Sequence, residues 1–78
     1  MNEIIDIEKI VKDKRFHALY FDYNGERYSF AGWWILEWDS GVKEYNSIEE
    51  FLSDTFFDGA TILTQKAIMN IDYDFDNF

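Results

Sequence analysis

Four side chains are candidates for chemistry: the only histidine, His17, and the aspartates Asp72, Asp74 and Asp76. A histidine titrates near neutral pH and can act as a general base. The aspartates repeat the D-x-D-x-D spacing that begins an EF-hand calcium loop, but the sixth position requires glycine and here holds Asn77. We therefore expect a hydrogen-bonded structural role for His17, and an acidic, solvated edge at the three aspartates.

The rest of the sequence lacks the motifs of common active sites. There is no cysteine, which excludes disulfides and thiolate metal sites, and a single histidine excludes a histidine-rich metal site. No dinucleotide fingerprint, phosphate loop or nucleophile elbow is present. Because the sequence offers no convergent acid, base and nucleophile, we expect no cofactor, no metal and no catalysis, with a small enzyme as the weaker alternative.

Size and charge limit the partners. The chain has 78 residues, of which 16 are acidic and 7 basic, and its formal net charge is −9. This charge disfavours direct binding to nucleic acid or to an anionic membrane, because both are polyanions. Residues 1–10 lack the pattern of a secretory leader and no apolar run is long enough to span a membrane, so we expect a cytoplasmic protein. The length predicts one domain, residues 1–78.

The N-terminal segment has the pattern of an amphipathic helix. Its isoleucines and valine recur three and four residues apart, which predicts a helix over residues 3–14. Glu8 and Lys12 stand four residues apart on its solvated side, an arrangement that supports a helix. Asn2 and Asp6 are both suitable caps, so the helix begins at one or the other.

The centre of the chain, residues 16–45, predicts two consecutive hairpins. Asn24-Gly25 is a strong hairpin signal, because a type I′ turn needs positive φ at both central positions. A two-residue loop at this point places Asp22 opposite Arg27, and this cross-strand charge pair supports the register. The second strand is expected to continue to Trp38.

The second turn has two interpretations. A three-residue loop over residues 39–41, closed by a G1 bulge, places Glu37 opposite Lys43. A two-residue loop at residues 40–41 would place Glu37 opposite Glu44. We prefer the three-residue loop, because it pairs opposite charges across the strands.

The C-terminal half predicts short elements. A capping box, S-x-x-E beginning at Ser47, indicates a helix over residues 47–54. Residues 60–68 have tolerable helical spacing and could form another short helix. From Met69 onward, apolar residues alternate with asparagine and aspartate, which predicts a fourth strand or an extended tail.

These elements predict an α+β fold: an N-terminal helix, a three-stranded antiparallel meander, one or two short helices, and an extended or strand-like C-terminal segment. The registers divide the sheet into a core face and an outer face. His17 and Val42 are assigned to the core face, and Lys43 to the outer face. The outer face also collects five large side chains that we call the outer aromatic cluster: Phe16, Tyr20, Trp33, Ile35 and Tyr45.

The outer aromatic cluster is the candidate interaction surface. An uncovered patch of this size would exceed what monomers usually expose and would mark a contact site. Three explanations compete: the C-terminal segment folds back over the cluster, a symmetric homodimer buries it, or another protein docks on it.

The acidity suggests a further kind of partner. Carboxylates two residues apart on one strand stand about 6.6 Å from each other, so Asp72, Asp74 and Asp76 can imitate a phosphate backbone. In size, charge and helix–three-strand–helix order the chain resembles small acidic proteins encoded by phages, including some anti-CRISPR proteins. That resemblance implies an inhibitor that mimics nucleic acid and occupies a basic protein.

A second resemblance is more local. The stretch from Tyr45 to Leu52, followed by Phe57-Asp58-Gly59, is similar to small uncharacterised proteins of bacterial and phage genomes. In those proteins an aromatic-rich hairpin precedes a capped helix and an F-D-G turn, and the resemblance implies no activity. We therefore expect a non-catalytic protein-binding or self-associating module, with another protein or a second copy as partner and nucleic-acid mimicry as the alternative.

Overall fold

The computed structural model describes residues 6–31 and 34–76, which form two short helices and a five-stranded antiparallel sheet. The elements are α1 (Ile7–Lys12), β1 (Phe16–Tyr23), β2 (Glu26–Ala31), β3 (Ile35–Trp38), β4 (Gly41–Glu44), α2 (Ile48–Ser53) and β5 (Met69–Phe75). The strand order is β4-β3-β2-β1-β5. The α+β class is confirmed, but the meander has four strands instead of three, and the C-terminal segment adds a fifth strand beside β1.

Helix α1 is shorter than the prediction over residues 3–14, of which residues 3–5 lie outside the described part of the chain. Asp6 is the N-cap, since its carboxylate accepts the Lys9 N–H at 3.1 Å. The helix ends because Asp13 is extended, with its carboxylate 2.9 Å from the Arg15 N–H and 3.2 Å from the Arg15 guanidinium. This turn leads the chain into β1.

The hairpin of β1 and β2 has the predicted register. Asn24 and Gly25 have φ values of 55° and 81°, as a type I′ turn requires. Asp22 lies opposite Arg27, and their side chains form an ion pair at 3.1 Å. The turn residues and the charge pair therefore specify the same alignment.

The predicted second strand is wrong beyond Ala31, because the chain turns between β2 and β3. Ala31 pairs with Ile35, and the Trp34 N–H donates to the Ala31 carbonyl at 2.9 Å. Trp34 has φ 59°, a left-handed conformation that is rare for a bulky residue. Its ring stacks on Phe30 with a centroid distance of 6.2 Å, which offsets part of the backbone strain.

Both interpretations of the second turn are wrong, because the loop between β3 and β4 consists of Asp39 and Ser40 alone. Trp38 pairs with Gly41, and Leu36 with Lys43. Gly41 lies against the Trp38 indole so closely that an added Cβ would sit 2.9 Å from Trp38 Cζ2. The indole fills the space above glycine and sets this register more strongly than a charge pair between exposed side chains would.

A shift of one residue moves every side chain of a strand to the other face. Val42, predicted in the core, is therefore 62% exposed. Lys43, predicted on the outer face, points to the core side and bonds Asp54 there. Tyr45 follows the same shift and is buried.

Residues 54–68 connect α2 to β5 without a further helix, so the helix considered over residues 60–68 is wrong. Turns replace it: Thr61 bonds Thr64 through both backbone and side chain. The Gln65 amide donates to the Phe57 carbonyl at 2.8 Å and ties the segment to itself. Hydroxyl and amide side chains supply bonds that a helix would take from its backbone.

The core lies on one face of the sheet, which we call the covered face. Helix α2 is capped by Ser47, whose hydroxyl accepts the Glu50 N–H at 3.1 Å as predicted, and it places Phe51 flat on Phe30 at a centroid distance of 3.8 Å. The most deeply buried side chains are Leu19, Phe21, Phe30, Leu36, Phe51, Phe57 and Ile62. Within the described ranges no helix is long and apolar enough to cross a membrane.

Candidate protein-binding face

The opposite side of the sheet, which we call the open face, follows from strand alternation. Both described helices and the 54–68 segment contribute side chains to the core on the covered face: Ile7, Val11, Ile48, Phe51, Leu52, Phe57 and Ile62. The remaining strand positions form the open face: Ala18, Tyr20, Asp22, Arg27, Ser29, Ala31, Ile35, Glu37, Val42, Glu44, Asp72 and Asp74.

The structure separates the five residues of the outer aromatic cluster. Tyr45 is 6% exposed and packs edge-on against Phe51 in the core. Phe16 is half-buried and packs against the core beside Phe30. Tyr20 and Ile35 are half-buried on the open face, and Trp33 lies outside the described residues. The cluster as drawn from the sequence is therefore wrong in two members, and its role in interaction remains a prediction.

Carboxylates line two sides of the open face. Glu37 and Glu44 are exposed on β3 and β4, and Asp72 and Asp74 are exposed on β5. Strands lie about 4.8 Å apart, so about 19 Å separates the two edge strands. Among the described residues none of these four carboxylates forms an ion pair with a basic residue.

The middle of the open face is small or apolar. On the three inner strands Ala31 is exposed, Tyr20, Ser29 and Ile35 are half-buried and Ala18 is buried. The exposed Val42 lies on the edge strand β4, opposite Glu37, and is not part of this strip. An apolar strip between charged margins is the arrangement of a protein interface, where the centre is desolvated and the rim stays polar.

Asp22 joins three strands on this face. Its carboxylate accepts the Asn70 amide at 2.7 Å and the Arg27 guanidinium at 3.1 Å. The same guanidinium donates to the Asn70 carbonyl at 2.8 Å, across the end of β5. The Asn70 amide and then Arg27 hold the pKa of Asp22 below its usual value. Through their bonds to Asn70, Asp22 and Arg27 hold the start of β5 against the β1–β2 hairpin.

The acidic edge predicted at Asp72, Asp74 and Asp76 lies along β5 and just beyond it, and all three side chains are exposed. Asp74 accepts the Tyr20 hydroxyl at 3.3 Å, and burial, then the Asp74 charge, raises the pKa of Tyr20. Asp72 accepts the backbone N–H of Tyr73 at 2.9 Å.

His17 is not on the core face as predicted. Its side chain is 60% exposed, with Nδ1 3.0 Å from Asp76 Oδ1. The pairing of β1 with β5 shifts by one residue between Phe16 and Ala18, a β-bulge that turns Phe16 toward the core and His17 toward solvent. The hydrogen-bonded structural role expected of His17 stays a prediction.

Comparison with protein-family models, curated proteins and solved structures finds no match. Nor does any group of three or more histidine, cysteine or acidic side chains among residues 6–31 and 34–76 have the geometry to hold a metal ion.

A second polar cluster, on the covered side, escaped the sequence reasoning. Asp54 Oδ2 accepts both the Lys43 ammonium, at 2.6 Å, and the Tyr45 hydroxyl, at 2.7 Å. Lys43 also lies 5.1 Å from the ring centre of Phe56. The two-residue turn at Asp39-Ser40 places Lys43 on the covered face, where these bonds form. The sequence did not predict this register, because the strands were aligned by pairing Glu37 with Lys43.

The pKa shifts of Asp54 and Tyr45 in this second cluster indicate a structural role. Burial disfavours the Asp54 carboxylate, but bonds from Lys43 and Tyr45 outweigh it and hold the pKa of Asp54 below its usual value. Burial, then the Asp54 bond, raises the pKa of Tyr45 well above its usual range. A carboxylate fixed as an anion and a phenol fixed as neutral hold their protonation states near neutral pH and are poor proton carriers.

Described residues line grooves at two places beside the sheet. One of about 440 Å³ lies between the end of α1 and the start of α2 and includes Lys12, Lys14 and Trp34. The other, of about 420 Å³, lies at the tip of the β1–β2 hairpin and includes Glu26 and Asp39. His17 lines neither groove.

Proposed function

We propose that this protein is a non-catalytic binding module whose open face binds a positively charged surface of another protein. The observation that carries the proposal is the arrangement of Glu37, Glu44, Asp72 and Asp74, exposed around an apolar strip. A basic partner would pair with the margins, while its apolar side chains would cover the strip.

The charge distribution favours a different protein over a second copy. Residues 16–78 contain twelve acidic and three basic residues, so the entire net charge belongs to the part that contains the sheet. Of the three basic residues, Arg27 and Lys43 already pair with Asp22 and Asp54. Two open faces brought together would oppose carboxylates to carboxylates, and like charges across an interface are costly.

A mutational comparison of capture tests the proposal. The double variant Glu37→Gln/Glu44→Gln removes two charges from the open face, and Glu49→Gln/Glu50→Gln removes two from α2. Extracts of the native host are passed over each immobilised protein, and a basic protein retained by the wild type is quantified.

We expect the open-face variant to lose most of this protein and the α2 variant to retain it. Capture should also weaken as salt is added, because exposed charges are screened. Equal retention by both variants, or capture that does not respond to salt, would contradict the proposal.

Nucleic-acid mimicry is a second candidate for the same face. Asp72 and Asp74 lie two residues apart on one strand, which spaces their carboxylates at about 6.6 Å, and the Glu37–Glu44 side provides a separate acidic row. If the captured protein binds nucleic acid, duplex DNA should displace it from the wild-type face. A captured protein that binds DNA and this protein simultaneously would contradict mimicry and leave the binding module intact.

A further inference from the structure

Strand β5 has an edge without a strand neighbour among the described residues. It is seven residues long, lies at one end of the sheet and pairs with β1 on one side only. Tyr73 pairs with Leu19, whose backbone groups face Phe30 of β2 across the two-residue hairpin, so the Tyr73 N–H points away from β1. It donates to the Asp72 carboxylate at 2.9 Å. An edge with outward backbone groups is a template for an added strand.

We propose that the outer edge of β5 binds an extended segment of the partner protein by strand addition, and that this segment has basic residues at alternate positions. The inference rests on the proposed function and specifies how the partner is recognised. Backbone hydrogen bonds would supply affinity, and alternate side chains would supply selectivity.

The charge pattern of β5 selects that segment. Asp72 and Asp74 point to the open face, so an added strand would place every second side chain beside them. Lysine or arginine at those positions would form cross-strand pairs. On the other face Tyr73 is 41% exposed and contacts Phe75, which offers apolar contact to the intervening residues.

The same pattern disfavours a second copy of β5. An antiparallel pair of β5 strands centred on Tyr73 would place Asp72 of each copy opposite Asp74 of the other. Like charges directly opposite each other destabilise a strand pair. The other sheet edge, β4, has four residues and would offer fewer backbone bonds.

Asp72 couples charge recognition to backbone pairing. Its carboxylate accepts the Tyr73 N–H in the free protein, which satisfies the donor at the exposed edge. A lysine brought alongside would draw the carboxylate away, and the N–H would become available to a carbonyl of the incoming strand. A strand without positively charged side chains would not draw the Asp72 carboxylate away, so the Tyr73 N–H would stay bonded to it.

The probe is a synthetic peptide of about seven residues, the length of an ordinary strand, in which lysine alternates with threonine. One control peptide has the same composition with consecutive lysines. A second keeps the alternating order but carries N-methyl groups on every other backbone nitrogen, on the edge that would face β5. Affinity is measured by calorimetry, and protection of the Tyr73 amide by hydrogen exchange.

We expect the alternating peptide to bind, with slower exchange at Tyr73, and both control peptides to bind about tenfold more weakly. In the protein, Tyr73→Pro removes the outward N–H without touching the β1 ladder, and Tyr73→Thr removes the same ring but keeps the N–H. Proline should weaken binding about tenfold relative to threonine.

Equal affinity of the alternating and N-methylated peptides, or of the proline and threonine variants, would overturn strand addition. That result would leave the proposed function standing if capture by the wild type still depended on Glu37 and Glu44. If capture did not depend on those two glutamates while the alternating peptide still bound the β5 edge, the proposed function alone would be overturned.

Discussion

At the scale of residues, Asp54 connects β4 and α2. It accepts bonds from Lys43 and Tyr45, and it is also the residue at which α2 ends. Each bond to a partly buried ionised carboxylate contributes more than a bond between neutral groups. The cluster is therefore a specific contribution to the stability of a domain small enough to be marginally stable.

We predict that Asp54→Asn lowers the free energy of unfolding at pH 7 by about 1–2 kcal/mol, because the ion pair with Lys43 is lost and the bond from the Tyr45 hydroxyl becomes a bond between neutral groups. The folded-state pKa of Asp54 lies below its ordinary value of 3.8. Its contribution is therefore present above that value and is lost as pH falls through the folded pKa. Urea unfolding across acid pH should show the two proteins converging at low pH.

The control for this substitution is Asp39→Asn, which removes an exposed carboxylate from the β3–β4 turn. It should change the unfolding free energy little, as exposed substitutions usually do. A difference between wild type and Asp54→Asn that stayed constant down to the lowest pH would contradict the assignment of Asp54 as an ion held by its partners.

At the scale of elements, local signals were sufficient where a turn type and a charge pair agreed. The β1–β2 register and the α2 cap followed from Asn24-Gly25 and from the S-x-x-E box. The turn between β2 and β3 and the β3–β4 register depend on the packing of aromatic rings, with Trp34 on Phe30 and Trp38 over Gly41. Such contacts cannot be predicted from the spacing of neighbouring residues. Tyr45 was misplaced on the open face because of the resulting one-residue shift.

The register of the β3–β4 hairpin can be tested at Gly41. Gly41→Ala would place a Cβ 2.9 Å from the Trp38 ring, which itself stacks on Tyr28 and packs at a tilt against Phe56. Overpacking costs about 1–3 kcal/mol, against a gain of about 0.4–1 kcal/mol from the stiffer unfolded chain. We expect net destabilisation in thermal unfolding, and partial recovery when Trp38→Phe is added.

No destabilisation by Gly41→Ala, or the same loss in the Trp38→Phe background, would show that glycine and the indole are not in contact. The three-residue loop over residues 39–41 would then return as the alternative. Tryptophan fluorescence gives a second measurement, because displacement of Trp38 changes its exposure.

Helix α2 depends on its cap because six residues are too few for a helix to persist alone. Ser47→Ala should cost about 1 kcal/mol, since the Glu50 N–H loses its acceptor. Ser53→Ala, at the other end of the same helix, is the matched control and should have a smaller effect. Equal losses in chemical unfolding would contradict a special role for the cap.

At the scale of the whole molecule, net charge and sheet topology determine how copies meet. Residues 69–75 extend the sheet as β5 beside β1, so this part of the C-terminal segment does not lie over the open face. Burial of the half-exposed Tyr20 and Ile35 against a second copy would therefore have to overcome repulsion among the carboxylates around them. Added salt screens that repulsion, so the burial of apolar surface then contributes more to self-association relative to the repulsion.

We predict that the wild type is monomeric at low ionic strength, and that Asp72→Asn/Asp74→Asn associates at lower concentration, because removal of like charges frees the β5 edge to pair with itself. Light scattering across a wide concentration range, at low and high salt, measures both. Glu49→Gln/Glu50→Gln loses the same charge from α2 and should remain monomeric. A wild-type dimer at low salt would contradict this account, and the open face would then have to be reconsidered as a surface for self-association.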